Sequence, residues 1–203
     1  MIEVKNLDKK YSNQQILYNV SFKIENPGLY IFCGINGSGK STIVKILAKA
    51  IYKTSGEIIC DDEIAYLPDK FIIPSMLLTS DYLKLMINMY SSSLNYKDIL
   101  DEYKIPKKRV YSLSKGNYQK LGIAQLFLND SDTYILDEPF DGLDDFAKKL
   151  LKDKISEKIN LGKKVILIYH QKNVFNELKP IIYEVKEGKI YEKKKKKSND
   201  TAL

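Results

Sequence analysis

Gly34-Ile35-Asn36-Gly37-Ser38-Gly39-Lys40-Ser41 sets glycines at the spacing of a phosphate-binding loop and ends it in a lysine and a hydroxyl. The segment fits G-x-x-x-x-G-K-[ST] in full. Glycines admit positive φ and let backbone N–H groups close on phosphate oxygens. Asn36, Gly37, Ser38 and Gly39 would form the cradle, with Gly34 at its entry. Lys40 would reach β- and γ-phosphates, Ser41 would ligate Mg²⁺, and Thr42 would follow in the first turn of a helix whose dipole favours an anion. Far downstream, Asp137 and Glu138 stand side by side at the end of the apolar run Tyr134-Ile135-Leu136. Adjacent carboxylates are usually surface charge, but the C-terminal end of such a strand is where open α/β sheets bind ligands.

These groups need a strand before the loop, a helix after it, and a second strand beneath the carboxylates. Leu29 to Cys33 is a short apolar run of the kind buried on both faces. Ser41 to about Tyr52 keeps helical spacing through Ile43, Val44, Ile46, Leu47 and Ala50. Thr133 to Leu136 and Val165 to Tyr169 read as strands. Asp144 to Leu161 reads as a helix with Gly162 just past its end. Ahead of the loop, Ile2 to Leu7 and Ile16 to Ile24 alternate as strands around a turn at Tyr11 to Gln15. Glu57 to Cys60 and Ile64 to Leu67 read as two more strands. From Thr79 to Tyr103 the pattern is helical and free of glycine, with Leu83, Met86, Ile87 and Tyr90 as a stripe and Thr79 or Ser80 as the cap. Ile181 to Val185 and Lys189 to Tyr191 form a terminal hairpin.

The 203 residues suffice for one α/β body with a small helical insertion. The net charge of +7 falls to +2 without the five lysines Lys193 to Lys197, so the basicity lies largely in a tail. That tail is expected to be solvated and disordered, with anionic lipid or RNA as its sharper reading. Cys33 and Cys60 lack metal-ligand spacing and read as small buried hydrophobes of a reducing compartment. No run reaches the ~18 apolar residues that suggest a membrane span, and the first residues carry no secretory apolar region.

Leu113-Ser114-Lys115-Gly116-Asn117 completes the set, and with it the chain resembles the nucleotide-binding domain of ATP-binding cassette (ABC) ATPases. The resemblance runs from about Ile2 to Tyr191. It implies an α/β fold: a P-loop NTPase core of ABC type with an N-terminal antiparallel β subdomain and a small inserted helical subdomain. The domain would span 1–192, with the helical part at about 70–130 and a basic tail at 193–203. The Leu-Ser-x-Gly motif is similar to the family signature, a helix start with free N–H groups and a serine hydroxyl suited to a γ-phosphate. Through Ser114 and Gly116 it would grip the ATP held by a second subunit. Tyr134 to Pro139 resembles Walker B, with Asp137 holding Mg²⁺ and Glu138 activating water. Phe140 to Asp144 resembles the D-loop, with Asp141 where a serine is common. His170, the one histidine, takes the place of the switch histidine at the γ-phosphate. Tyr11 takes that of the aromatic stacked on adenine. Asp69 stands where the Q-loop glutamine would approach the metal, and Lys115 and Asn117 also depart from the family pattern.

The resemblance implies ATP and Mg²⁺ as cofactors and an ATPase using Glu138, His170 and Lys40. The expected partners are a second nucleotide-binding subunit, with a homodimer favoured, and a separate transmembrane permease that holds the chain at the inner face of the cell membrane. Phe71 to Leu78 would line the groove for that permease, or else simply pack in the core. Ser-Lys-Gly signatures point toward export. The alternative is a soluble ABC ATPase acting on nucleic acid or the ribosome; nucleic acid is disfavoured because the chain lacks a second cassette, coiled coil or zinc insertion. A nucleotide kinase would leave Ser114 and His170 unexplained.

Overall fold

A computed structural model describes residues 1–169, 175 and 177–193. In chain order the strands and first helix are β1 (Ile2–Tyr11), β2 (Gln14–Ile24), β3 (Gly28–Cys33), α1 (Lys40–Leu47), β4 (Ser55–Cys60) and β5 (Ile64–Leu67). Then follow α2 (Thr79–Met89), α3 (Tyr96–Glu102), a 3-10 turn at Val110–Ser112, α4 (Lys115–Leu128), β6 (Thr133–Asp137), α5 (Asp145–Asn160), β7 (Lys164–Ile168), β8 (Ile181–Lys186) and β9 (Lys189–Lys193).

Two sheets result. A three-stranded antiparallel sheet has the order β2-β1-β4, and a six-stranded sheet has the order β5-β6-β7-β3-β8-β9. The larger is parallel except for the closing β8–β9 hairpin. Its central strands alternate between two apolar cores, as the period of two requires. Leu29, Ile31, Tyr134, Leu136, Val165 and Leu167 face the core shared with α2 to α5. Tyr30, Phe32, Ile135, Ile166 and Ile168 face the core shared with the small sheet and α1. Burial on both faces is why these strands read as continuous apolar runs.

Register places the chemistry. Phe32 and Asp137 both pair with Ile168 of β7, from opposite sides. The end of β3 that opens the phosphate loop and the carboxylate end of β6 therefore share one edge of the sheet.

Several boundaries differ from the sequence expectations. α1 ends at Leu47 rather than near Tyr52, because Ala48 leaves helical geometry and Lys49 turns to φ 56°. The helical pattern of Thr79 to Tyr103 is two helices, broken after Met89 where Ser91 takes φ 50°. Neither Thr79 nor Ser80 caps α2: Leu78 holds that position with no side-chain cap. The amide of Thr79 instead donates to Lys108 O at 2.9 Å, and its hydroxyl to Pro106 O at 2.9 Å. A tertiary partner thus replaces the local cap. Lys193, counted with the tail, is the last residue of β9 and pairs with Ile182; Lys194 to Leu203 lie outside the described residues. α5 ends at Asn160, one residue before the expected Leu161, which is its C-cap, and Gly162 follows at φ 78°.

Candidate functional site

Helix α1 begins without a side-chain cap. Gly39 is its N-cap at φ 107°, a conformation that L side chains rarely adopt. A Cβ there would also lie 2.7 Å from Leu17 Cδ2, so the glycine is required by conformation and by packing. With no serine, threonine or aspartate capping the first turn, its N–H groups remain available to an anion. Ser38 is buried, and its hydroxyl has no hydrogen-bond partner within the structure. A buried donor left this way costs free energy unless a ligand satisfies it. The loop therefore fits a phosphate chain.

Lys40 is 5% exposed, and its ammonium donates to Gly34 O at 3.0 Å and Ile35 O at 2.9 Å. Burial pushes its pKa below the ordinary lysine value, while Glu138 and Asp137 pull it back upward. A polyphosphate would offer this cation stronger acceptors than two carbonyls.

Ser41 Oγ donates to Asp137 Oδ1 at 3.3 Å. Asp137 is 1% exposed. Burial raises its pKa above the usual carboxylate range; the Ser41 bond opposes this, and the neighbouring Glu138 and Asp69 add to it. Among the described residues no three acidic, histidine or cysteine side chains are grouped so that they could hold a metal ion, so a cation here would rest on the buried Asp137 carboxylate and the neutral Ser41 oxygen beside it. The donor set fits Mg²⁺, which binds through few protein oxygens and keeps water and phosphate as its other ligands. Ser41 and Asp137 would hold it, with Asp69 near.

A cavity of about 280 Å³ is lined by Asn36, Gly37, Lys40, Ser41, Asp69, Asp137 and Glu138. Seven of the residues expected from sequence thus meet in one place. Thr42 lies on α1 beside them, and Gly34 at the end of β3. Tyr11 stands apart at the end of β1, 45% exposed, with the Lys9 ammonium 4.4 Å above its ring. Ser114 and Gly116 do not line the cavity either. Ser114 caps α4, accepting from the Asn117 amide at 3.3 Å. His170 lies outside the described residues.

Two features had no sequence signal. Glu138, a non-glycine residue, takes φ 51°, and its amide donates to Ile168 O at 3.2 Å. Left-handed backbone at a non-glycine residue costs on the order of 1–3 kcal/mol and gathers at functional sites. Tyr66 on β5 has a buried hydroxyl without a hydrogen-bond partner. Burial, with Asp137 and Asp69 nearby, drives its pKa strongly upward, so it stays protonated.

The cavity lined by Lys40, Ser41, Asp137 and Glu138, together with the Ser114-capped start of α4, matches the ATP-binding cassette pattern that the sequence resembles. Comparison with known proteins agrees. The family described as ABC transporter matches residues 17–141. The zinc import ATP-binding protein ZnuC of Rickettsia conorii is 33% identical, over 84% of this chain and 76% of its own. The lantibiotic transport ATP-binding protein SrtF of Streptococcus pyogenes is 32% identical, over 94% of this chain and 89% of its own. A solved structure of the ATP-binding cassette MJ0796, a dimer in a post-hydrolysis state with ADP and Pi, superposes with a TM-score of 0.83 at 23% identity, covering 97% of this chain and 100% of that one. The chain belongs to the ABC transporter family, as one of its ATP-binding cassettes.

Proposed function

We propose that the chain is the ATP-hydrolysing subunit of a membrane transporter, closing as a dimer around ATP and driving a separate membrane-spanning subunit. The observation that carries this reading is the meeting of Lys40, Ser41, Asp137 and Glu138 around one cavity. Lys40 would exchange its loop carbonyls for β- and γ-phosphate oxygens. Ser41 and Asp137 would hold Mg²⁺, which when bound supplies charge neutralisation and orientation at those phosphates. Glu138 would orient the attacking water and accept its proton, a role typically worth about 10²–10⁴-fold in rate. His170 would add a hydrogen bond to the γ-phosphate, as the resemblance implies. Ser114 and Gly116 would meet the nucleotide of the second subunit, which fits their position away from this chain's own cavity.

Among the described residues no helix is long and apolar enough to cross a membrane. Attachment at the inner face of the membrane would come from the permease. The segment Phe71 to Leu78 offers the surface: Ile72 is 95% and Met76 66% exposed. Phe71 anchors it, stacked on Tyr118 with ring centroids 5.0 Å apart. Gly122 makes room for that ring, since a Cβ there would lie 2.3 Å from Phe71 Cζ. Export is the direction we favour, on the resemblance of Ser114-Lys115-Gly116 to exporter-type cassettes. The zinc import relative represents the competing direction.

The test combines two measurements. The Glu138→Gln variant should form a stable dimer with ATP and turn over almost none of it. A variant that stays monomeric at high protein and ATP concentration would contradict the composite site. Purification from native membranes in mild detergent should recover a polytopic protein in stoichiometric amount; recovery only with ribosomes or DNA would reject the transport reading.

A further inference from the structure

Two of the residues that depart from the family pattern are partners. Lys115 Nζ donates to Asp141 Oδ2 at 2.5 Å, across 26 residues of sequence. The pair raises the lysine pKa and lowers that of the aspartate. It joins the first residue of α4 to the loop after Glu138, and other contacts follow along the same helix. Gln119 Nε2 donates to Pro139 O at 3.3 Å, and Lys120 Nζ to Asp144 Oδ2 at 2.8 Å. Lys115 and Gln119, four apart, lie on one helix face. The backbones also meet, for a Cβ on Gly116 would lie 2.9 Å from Gly142 O.

The contacts differ in kind. Lys120 is 7% exposed in its side chain and sits inside the packing, whereas Lys115 and Asp141 are 74% and 63% exposed. An exposed ion pair is screened by water and contributes little to stability. The value of this one lies in what it connects. Ser114 precedes Lys115 directly, and Glu138 stands three residues before Asp141, held in strained left-handed backbone. A shift of residues 139–142 would reach Glu138 through that constrained backbone, and a shift of Lys115 would reach the cap serine.

We propose that Lys115 and Asp141 are a positioning pair that sets the start of α4 and the loop after Glu138 as one unit. One ion pair would then fix the geometry of the group acting on this chain's ATP and of the group presented to the partner's ATP. The inference rests on the composite-site reading above. It gives the two departures from the family pattern a single structural reading, since each is the other's partner.

Charge reversal tests it. In nucleotide-free protein, Lys115→Glu should speed amide exchange at residues 140–143, and Asp141→Lys should speed it at 115–118. The double reversal should restore both. In steady-state assays each single reversal should lower kcat about fivefold, with KM for ATP within about twofold. The double reversal should return to within about twofold of the parent, and Lys115→Arg should keep full turnover. A double reversal no better than the singles would overturn the proposal, as would unchanged exchange at 140–143 in Lys115→Glu or altered exchange with unaltered kcat. An inactive parent protein would count against ATP hydrolysis itself, and the exchange arm would still decide the pair.

Discussion

Ser41 Oγ and Asp137 Oδ1 lie 3.3 Å apart although 96 residues separate them in the chain. The first turn of α1 and the end of β6 are thereby held against each other. The bond only partly offsets the cost of burying the Asp137 carboxylate, whose pKa is raised by burial and by Glu138 and Asp69. A bound cation would relieve that cost.

Asp137→Asn should therefore stabilise the ligand-free protein while abolishing Mg²⁺-dependent turnover. A raised native pKa means the folded state holds the proton more tightly than the unfolded state. Stability of the parent should fall as pH rises from the ordinary aspartate range through that raised value, then level off. The variant lacks this loss. Thermal unfolding in EDTA at neutral pH should show a higher melting temperature for the variant than for the parent. A lower melting temperature in the variant would refute the argument.

At the opposite end of β6, Asp62 accepts from Thr133 Oγ1 at 2.6 Å and Lys164 Nζ at 2.9 Å, and pairs with the Met1 amino group at 2.5 Å. Burial would raise its pKa, but the three donors together bring it down to about 2. A depressed carboxyl pKa contributes stability that is present above the unfolded value of 3.8 and is lost as pH falls toward about 2. Lys164→Met should cost about 1.5–3 kcal/mol at neutral pH, the usual worth of a hydrogen bond to a charged group. Urea unfolding at several pH values should show that difference shrinking across this acid window. A gap constant with pH would exclude Asp62 as its source.

Gly39→Ala and Gly162→Ala should behave differently although both glycines have positive φ. At Gly162, φ 78°, an added Cβ meets nothing within 4 Å, so only the conformational cost of about 1 kcal/mol applies. At Gly39 the Cβ meets Leu17 as well, and the N–H groups that would bind phosphate are displaced with it. Calorimetry should show a larger stability loss for Gly39→Ala, together with at least tenfold weaker ATP binding; equal effects at the two positions would contradict the close approach.

Tyr11→Ala should weaken ATP binding about three- to tenfold, the worth of an aromatic stack of ~0.5–1.5 kcal/mol. Tyr11→Phe should retain affinity, since the ring face and not the hydroxyl would meet the base. Lys9 already covers one face at 4.4 Å, leaving the other for adenine. Titration with a fluorescent ATP analogue in Mg²⁺ decides it; parity between Tyr11→Ala and the parent would remove Tyr11 from the site.

Much of the architecture was legible from local pattern. β5 has the bounds Ile64–Leu67 expected of its apolar run, and α5 stops within one residue of the end that Gly162 marks. The pattern misled where a distant partner intervened. Thr79 and Ser80 have the chemistry of caps, yet both are fully buried, and Lys108 and Pro106 serve Thr79 instead. The break between α2 and α3 was hidden because Ser91 takes left-handed backbone without being glycine.

The sequence alone determined the phosphate loop, because its chemistry depends on consecutive residues and on glycines whose conformational freedom is intrinsic. It also determined the central strands, because burial on both faces leaves an unbroken apolar run. Only the tertiary structure decided that Ser41 meets Asp137, that Glu138 is held at positive φ, and that Lys115 and Asp141 are partners rather than two separate departures. Each of these depends on where segments far apart in the chain come to lie. One-dimensional spacing carries local preference, whereas pairing across 26 or 96 residues is set by the packing of the sheet and helices between them.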